Sequence, residues 1–389
     1  MDATRLKPTT QTKIEIRPVR NSRDKRLFID LPYKLYRGSP HWIAPLRIAQ
    51  RDILNTNRHP FYKTSDVEMF LAQRDGRVIG RIMAILNHAH NEFHNERVGF
   101  FGFFEVGNDP EASAALLDAA RDWVRQRGAE VIRGPVNPST NYECGLLVDS
   151  FDSDPVVMMT YNPPYYVELI ERYGLQKAMD LYAYATSAES FIVSDKLTRV
   201  ADRLKERDGI SVRTINLKDF KNEVERVRRI YNDAWSRNWG FVPVSEEEFE
   251  HLAKDLKQIV DPEIAYIAEK ETEGRAERVP IAFFLAVPDL NRALKKINGR
   301  LLPFGLPKLL WHSRKINFIR IVTMGVVKEY QSLGIAAVFY DEVYRRAPAH
   351  GYANGEVSWV LENNDLMNRA MDLLGAQRSK TYRIYEMRI

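Results

Sequence analysis

The sequence holds one cysteine, Cys144, in 389 residues. A lone thiol excludes an intramolecular disulfide and suits a reducing compartment, so a cytoplasmic location is expected. No apolar run approaches the roughly 18–20 residues that cross a bilayer. The opening MDATRLKPTTQTK is polar and lacks the apolar core of a targeting peptide, so residues 1–13 are expected to form a flexible tail. Acid is missing from one long stretch: Leu290 to Lys328 carries nine Lys or Arg and no Asp or Glu. The net charge of +5 is mild. It permits an anionic ligand or surface without demanding one, and no nucleic acid is expected.

The rest of the composition is that of a soluble globular chain, with 44% apolar and 28% charged residues. Its length exceeds one comfortable core, so two domains are expected. An internal repeat supports this. KIEIRPV from Lys13 matches ISVRTI after Gly209, and each opens a run of charged helix, paired strands, a long strand, a long helix, another strand, a helix and a final strand. The RDG at Arg74–Gly76 reads as a hairpin turn. Gly174 and Gly375 occupy matching places before tyrosine-bearing last strands. The order β-α-(α)-β-β-β-α-β-α-β, twice, predicts a mixed α/β (α+β) fold. Residues 14–187 and 188–389 are expected to form the two domains.

One turn carries the functional signal. Between the strand INFIRIVTMGVV and the helix IAAVFYDEVY lies Gln331-Ser332-Leu333-Gly334-Ile335-Ala336, with no carboxylate between Glu329 and Asp341. Free amides and the positive end of the helix dipole make such a turn a seat for phosphate. Gly334 and Ala336 keep the approach small.

Those residues resemble the Q/R-x-x-G-x-G/A acyl-coenzyme A pyrophosphate loop of the GNAT superfamily of N-acetyltransferases. Asn364, eleven residues before Gly375, is similar to that family's asparagine-to-glycine spacing. The resemblance covers the second half well and the first by element order alone. It implies two tandem GNAT domains. The segment Trp235-Ser-Arg-Asn238-Trp239-Gly240-Phe241-Val242-Pro243 resembles a tandem bacterial acyltransferase group, and through it the bacterial ceramide synthases. The first half departs from the pattern. Its turn holds Glu105, Asp109, Pro110 and Glu111, and those carboxylates would repel a diphosphate. The first domain is therefore expected to be a degenerate copy, and only the second is expected to bind acyl-CoA or acetyl-CoA.

The resemblance implies direct acyl transfer to an amine, with a backbone donor on a strand bulge polarising the thioester. Met324, Gly325 and Val326 fit that bulge, since glycine allows distortion. Two carboxylates are candidate bases. Glu362 ends an apolar strand, and Glu143 sits in the polar loop PSTNYECG, beside Asn141 as an acceptor-orienting residue. The family's acid position falls on Met371, so Tyr382 or Tyr385 is the substitute candidate. Cys144 has no basic neighbour in sequence and direct transfer needs no nucleophile. Trp235, Asn238 and Trp239 suit an acceptor or lipid-tail pocket, or a core staple. His88, His90 and His94 do not match a metal motif, so a polar strand end is expected and no metal. Basic and bulky apolar residues mixed over 290–316 suggest peripheral contact with the inner membrane surface, or a solvated helix pair. The leading expectation is a CoA-dependent N-acyltransferase acting on a small-molecule or lipid amine. The rivals are an acyl-CoA sensor and an aminoacyl-tRNA-dependent peptidoglycan-type transferase.

Overall fold

A computed structural model describes residues 13–271 and 278–389. Residues 1–12 of the expected tail lie outside the described residues.

Each half builds an antiparallel meander followed by one parallel strand. In the first half the meander is Glu15–Pro18, Ser65–Arg74, Arg77–Asn87 and Val98–Val106, and Val131–Gly134 joins it in parallel. The second half repeats this with Ile210–Thr214, Ala265–Lys270, Val279–Pro288 and Phe318–Val326, then parallel Asn354–Leu361. The crossover helices Pro110–Arg125 and Ala336–Ala349 make those parallel pairings possible. The RDG turn is a hairpin: Asp75 and Gly76 both take positive φ, as a two-residue hairpin turn requires.

The last strands are exchanged. Gln176–Ser187, from the first half, pairs with Asn354–Leu361 of the second. Gln377–Arg388, from the second half, pairs with Val131–Gly134 of the first. The two also pair antiparallel with one another, so all units share one 13-stranded sheet. Both exchanged strands are central, and their middle residues are buried, including the polar Asp180, Lys380 and Thr381. Leu181, Ala183, Tyr382, Ile384 and Tyr385 are fully buried. Each such large side chain contributes about 1.5–3 kcal/mol.

One local reading changes. His88–His94 is a short helix capped by Asn87 rather than a strand end. Its histidines are engaged separately: His88 with Asp66, His90 with Glu96, and His94 with the Phe241 carbonyl.

Candidate active site

The parallel pairing of Phe318–Val326 with Asn354–Leu361 runs from Phe318↔Asn354 to Ile321↔Val357 and stops. Beyond that point the strands part. A bulge accompanies the split: Leu285 faces Thr323 and Ala286 faces Ile321, which leaves Val322 as the extra residue. The distortion is thus not at Gly325. Gly325 pairs regularly with Phe283, and a Cβ there would lie 2.6 Å from the Phe283 ring. Its smallness serves packing.

A cleft of about 660 Å³ follows the split. It gathers Met324, Gly325, Val326, Gln331, Gly334, Ala336 and Asn364 with Trp235, Asn238 and Trp239. Ser332, Leu333 and Ile335 belong to the same turn without lining the cleft, and Ile335 is buried in the core. Gly334 sits at φ +83°, a conformation that favours glycine. The helix Ala336–Ala349 starts with no side-chain cap and no acid in its first turn. Asn364 does a different job: it caps the helix Asp365–Leu373 by accepting from Met367 N–H.

A second, apolar cavity of about 190 Å³ adjoins the cleft. The two share Trp235, Phe284, Val322, Thr323 and Trp359. Its walls are the inner faces of the helices Phe220–Trp235 and Glu246–Lys257, with Val227, Phe249, Leu252, Ala253 and Leu256, closed by Phe283 from the sheet. An apolar chain starting at the split therefore has a lined space to enter.

A scan against protein-family profiles finds no match. Solved structures share the architecture. A tandem GNAT protein from the clavulanic acid biosynthesis pathway matches 97% of this chain and 98% of its own, at TM-score 0.54 and 13% identity. The glucosamine N-acetyltransferase region of a fungal multi-domain enzyme covers 97% of this chain, and 38% of that one, at TM-score 0.56 and 15% identity. These carry the fold alone. Two bacterial proteins are much more similar in sequence. The bacterial ceramide synthase of Caulobacter vibrioides (strain NA1000 / CB15N) is 36% identical over 385 residues, 97% of this chain and 98% of its own. Protein YghO of Escherichia coli (strain K12) is 34% identical over 380 residues, 96% and 95% of the two lengths. The chain belongs to the family of these two bacterial proteins.

The two halves differ at the strand-to-helix turn. In the first, Asp109 caps the crossover helix by accepting from Ala112 N–H at 3.1 Å. Arg74 pairs with both Asp109 and Glu111. Glu105 accepts from Tyr36 and Tyr166 and sits by Arg81. The helix end is thus occupied by the protein's own carboxylate. The split is filled as well. A Cβ on Gly102 would fall 1.6 Å from the Val136 carbonyl oxygen, and Asn137 Oδ1 takes the Phe103 N–H at 2.6 Å.

The candidate catalytic groups separate clearly. Glu143 keeps an accessible side chain although it is crowded by protein, and it lines neither the cleft nor the apolar cavity. Burial pushes its carboxyl up to about 7, against the pull of Arg320. Its neighbours Thr140, Asn141 and Tyr142 line the apolar cavity, as does Arg320. Glu362 is held elsewhere, by Lys177 Nζ at 2.6 Å and by Asp180 N–H at 3.0 Å. This geometry gives Glu362 a structural part in clasping an exchanged strand. Tyr382 is fully buried outside the cleft, and its hydroxyl has no partner among the described residues. Burial, then nearby Glu356, raises its pKa well above the ordinary phenol. Burial likewise pushes the Cys144 thiol up to about 12, which leaves it unreactive.

The aromatic pair also separates. Trp235 donates its indole N–H to the Met324 carbonyl at 3.3 Å and stacks on Tyr231. The Tyr231 hydroxyl meets Asn141 Oδ1 at 3.0 Å, and Asn141 Nδ2 donates to the Val242 carbonyl at 3.1 Å. Asn141 is therefore a clamp between the halves as well as a cavity-wall residue. Trp239 lines the cleft and packs against the first half's core under Arg133.

Sequence reasoning missed Arg320. Its guanidinium is 3% exposed and donates to the carbonyls of Val157, Met158 and Ser358 and to the Ser358 hydroxyl. An arginine inside an apolar strand, FIRIVTMGVV, was the available signal. The apolar cavity was also missed, although Phe249, Leu252 and Leu256 share one helix face.

Proposed function

We propose that the chain is a CoA-dependent N-acyltransferase that joins a long-chain acyl group to a lipid-like amine by direct transfer. The observation that carries this reading is the continuity of an uncapped turn, a strand split and an apolar cavity, all built on the second half with the first half's Thr140, Asn141 and Tyr142 completing the cavity wall. The turn at residues 331–336 holds the diphosphate of acyl-CoA. The pantetheine arm pairs with Met324–Val326, where the neighbouring strand has parted. The thioester then lies at the Val322 bulge, whose backbone N–H polarises the carbonyl oxygen. The acyl chain enters the cavity below Trp235. The amine adds to the carbonyl carbon, its proton passes to Glu143 directly or through water, the C–S bond breaks, and the thiolate leaves. No general acid is required, because a thiol is a good leaving group.

The Caulobacter relative's name, ceramide synthase, supports a fatty acyl donor and a long-chain amine acceptor. The reading places the reaction in the cytoplasm, with the acceptor drawn from the inner membrane surface. Thiol release from acetyl-, octanoyl- and palmitoyl-CoA across a panel of short and long amines tests it. Turnover favouring palmitoyl-CoA and a long amine is the expected result. A clear preference for the acetyl donor sinks the lipid reading. CoA binding without any turnover leaves an acyl-CoA sensor.

A further inference from the structure

The segment that joins the strands Val279–Pro288 and Phe318–Val326 begins buried, with Asn291, Ala293, Leu294 and Ile297 packed inward, and then runs out onto the surface. Its helix Gly305–Ser313 contains no buried residue. Only Leu309 reaches inward, onto a small cluster of Ile43, Leu294 and Ile297. Leu302, Phe304, Leu310 and Trp311 are 79%, 72%, 55% and 60% exposed. Five of the eleven exposed large apolar side chains among the described residues fall between 302 and 311. Scattered exposed apolar residues are ordinary, whereas a cluster marks a binding surface.

The charges around it are also unspent. Nearby Arg292 and Lys295 pair with Asp289 and Asp154. Arg300, Lys308, Arg314 and Lys315 have no ion-pair partner among the described residues, and the whole stretch 290–328 lacks acid. Lys315 Nζ stands 4.6 Å from the Trp311 ring, so one cation sits on the apolar patch itself. A cleft of about 520 Å³ beside the patch adds Lys34, Arg37 and Arg300 around Trp42, while Arg47 in its wall is paired with Asp30.

We propose that the face formed by residues 300–315 docks this protein on a bilayer containing anionic lipid. Apolar side chains enter the acyl boundary while the unpaired cations meet lipid phosphates. These two weak signals together hold a peripheral protein. Among the described residues no helix is long and apolar enough to cross a membrane, so the contact is interfacial. The placement deepens the proposed activity and rests on that reading only for its purpose. The segment leaves and rejoins the sheet at Pro288 and Phe318, the end of Phe318–Val326 opposite the anion turn. At about 3.3 Å per residue, that strand separates the two by roughly 25 Å. Soluble acyl-CoA would then approach from water while a lipid amine arrives from the membrane side.

Co-sedimentation of the full chain with phosphatidylcholine vesicles, with and without phosphatidylglycerol, tests this. The expected result is binding at least about tenfold stronger to the anionic vesicles, abolished by high salt. A Phe304→Ser/Leu310→Ser/Trp311→Ser variant and a Lys308→Glu/Arg314→Glu/Lys315→Glu variant should each bind about tenfold or more weakly at an unchanged melting temperature. The proposal is overturned if the unaltered protein stays in solution with both vesicle types, or if both variants bind as well as it does. It is also overturned if sedimentation equilibrium shows a dimer that the serine variant reduces to monomer. Thiol release with octanoyl-CoA and a short soluble amine, without vesicles, reports on the acyltransfer reading alone. Its failure leaves the vesicle result standing.

Discussion

Arg320 in the second half donates from Nη1 to the Val157 carbonyl of the first half at 2.8 Å. The same guanidinium also grips Met158 and Ser358, at the point where the strands of the second half part. Beside the split lies a buried cation whose hydrogen bonds end on three main-chain carbonyls and the Ser358 hydroxyl. Glu356 and Lys380, both buried, complete the charge balance around it. Replacing Arg320 with Met would orphan three carbonyls and leave Glu356 with a poorer counter-charge. A loss of about 3–5 kcal/mol is expected, read as a lowered urea midpoint. A variant as stable as the parent would show that the cation is dispensable.

Glu143 offers a kinetic test. Its carboxyl is pushed up to about 7 by burial, and only the ionised form can accept a proton. The rate should rise as pH increases through about 7. Glu143→Gln should lower kcat about 100-fold or more and flatten that limb. Glu362→Gln should cost far less in kcat and act instead on stability, because its partners are Lys177 and Asp180. The reverse pattern would move the base to Glu362.

The contrast between the two helix ends can be transplanted. Ala336→Asp puts a carboxylate at the start of this helix, one position beyond the place Asp109 holds in the first half. Acid at a helix start does not harm the helix, so folding should persist while the Kd for CoA rises at least about tenfold. Asp109→Ala should create no CoA site, since Val136 and Asn137 still fill that split. Calorimetry of both variants decides between these outcomes.

Ala253 lines the apolar cavity. Ala253→Trp should reduce kcat/KM for palmitoyl-CoA about tenfold or more while sparing acetyl-CoA, because only a long chain competes with the new ring. Equal losses for both donors would put the acyl chain elsewhere.

Stability should depend on two buried histidines, His59 and His90, both lowered to about 4 chiefly by burial. His59 is lowered from 6.5 to about 4 by burial first, then by His251, against the opposing pull of Asp52. Between those pH values the unfolded chain takes a proton that the native state refuses. Stability is therefore expected to fall as pH drops from about 6.5 towards 4, by up to about 3 kcal/mol from His59. Urea unfolding across that window should show the slope, and His59→Gln should reduce it.

The sequence made the repeat legible because strand alternation, the long crossover helices and the paired glycines all recur at matching places. The uncapped turn at residues 331–336 was legible for the same reason: glycine, small residues and missing acid lie within six consecutive positions. The exchange of Gln176–Ser187 and Gln377–Arg388 was not, since either partner strand would satisfy the same apolar pattern. Nor did sequence distance reveal that Glu143 lies near Arg320, or that Glu362 meets Lys177. Such pairings depend on how two halves dock, and no local periodicity encodes that. Gly325 misled for a simpler reason: a glycine in a strand serves close packing as readily as it serves a bulge.

The traded final strands bind the fate of the first half to that of the second. A gene cut near codon 188 would yield two pieces, each carrying the strand its counterpart lacks. Neither should be soluble alone, whereas making both in one cell should restore the sheet. A lineage with this architecture can let one copy lose its chemistry, but it cannot discard it.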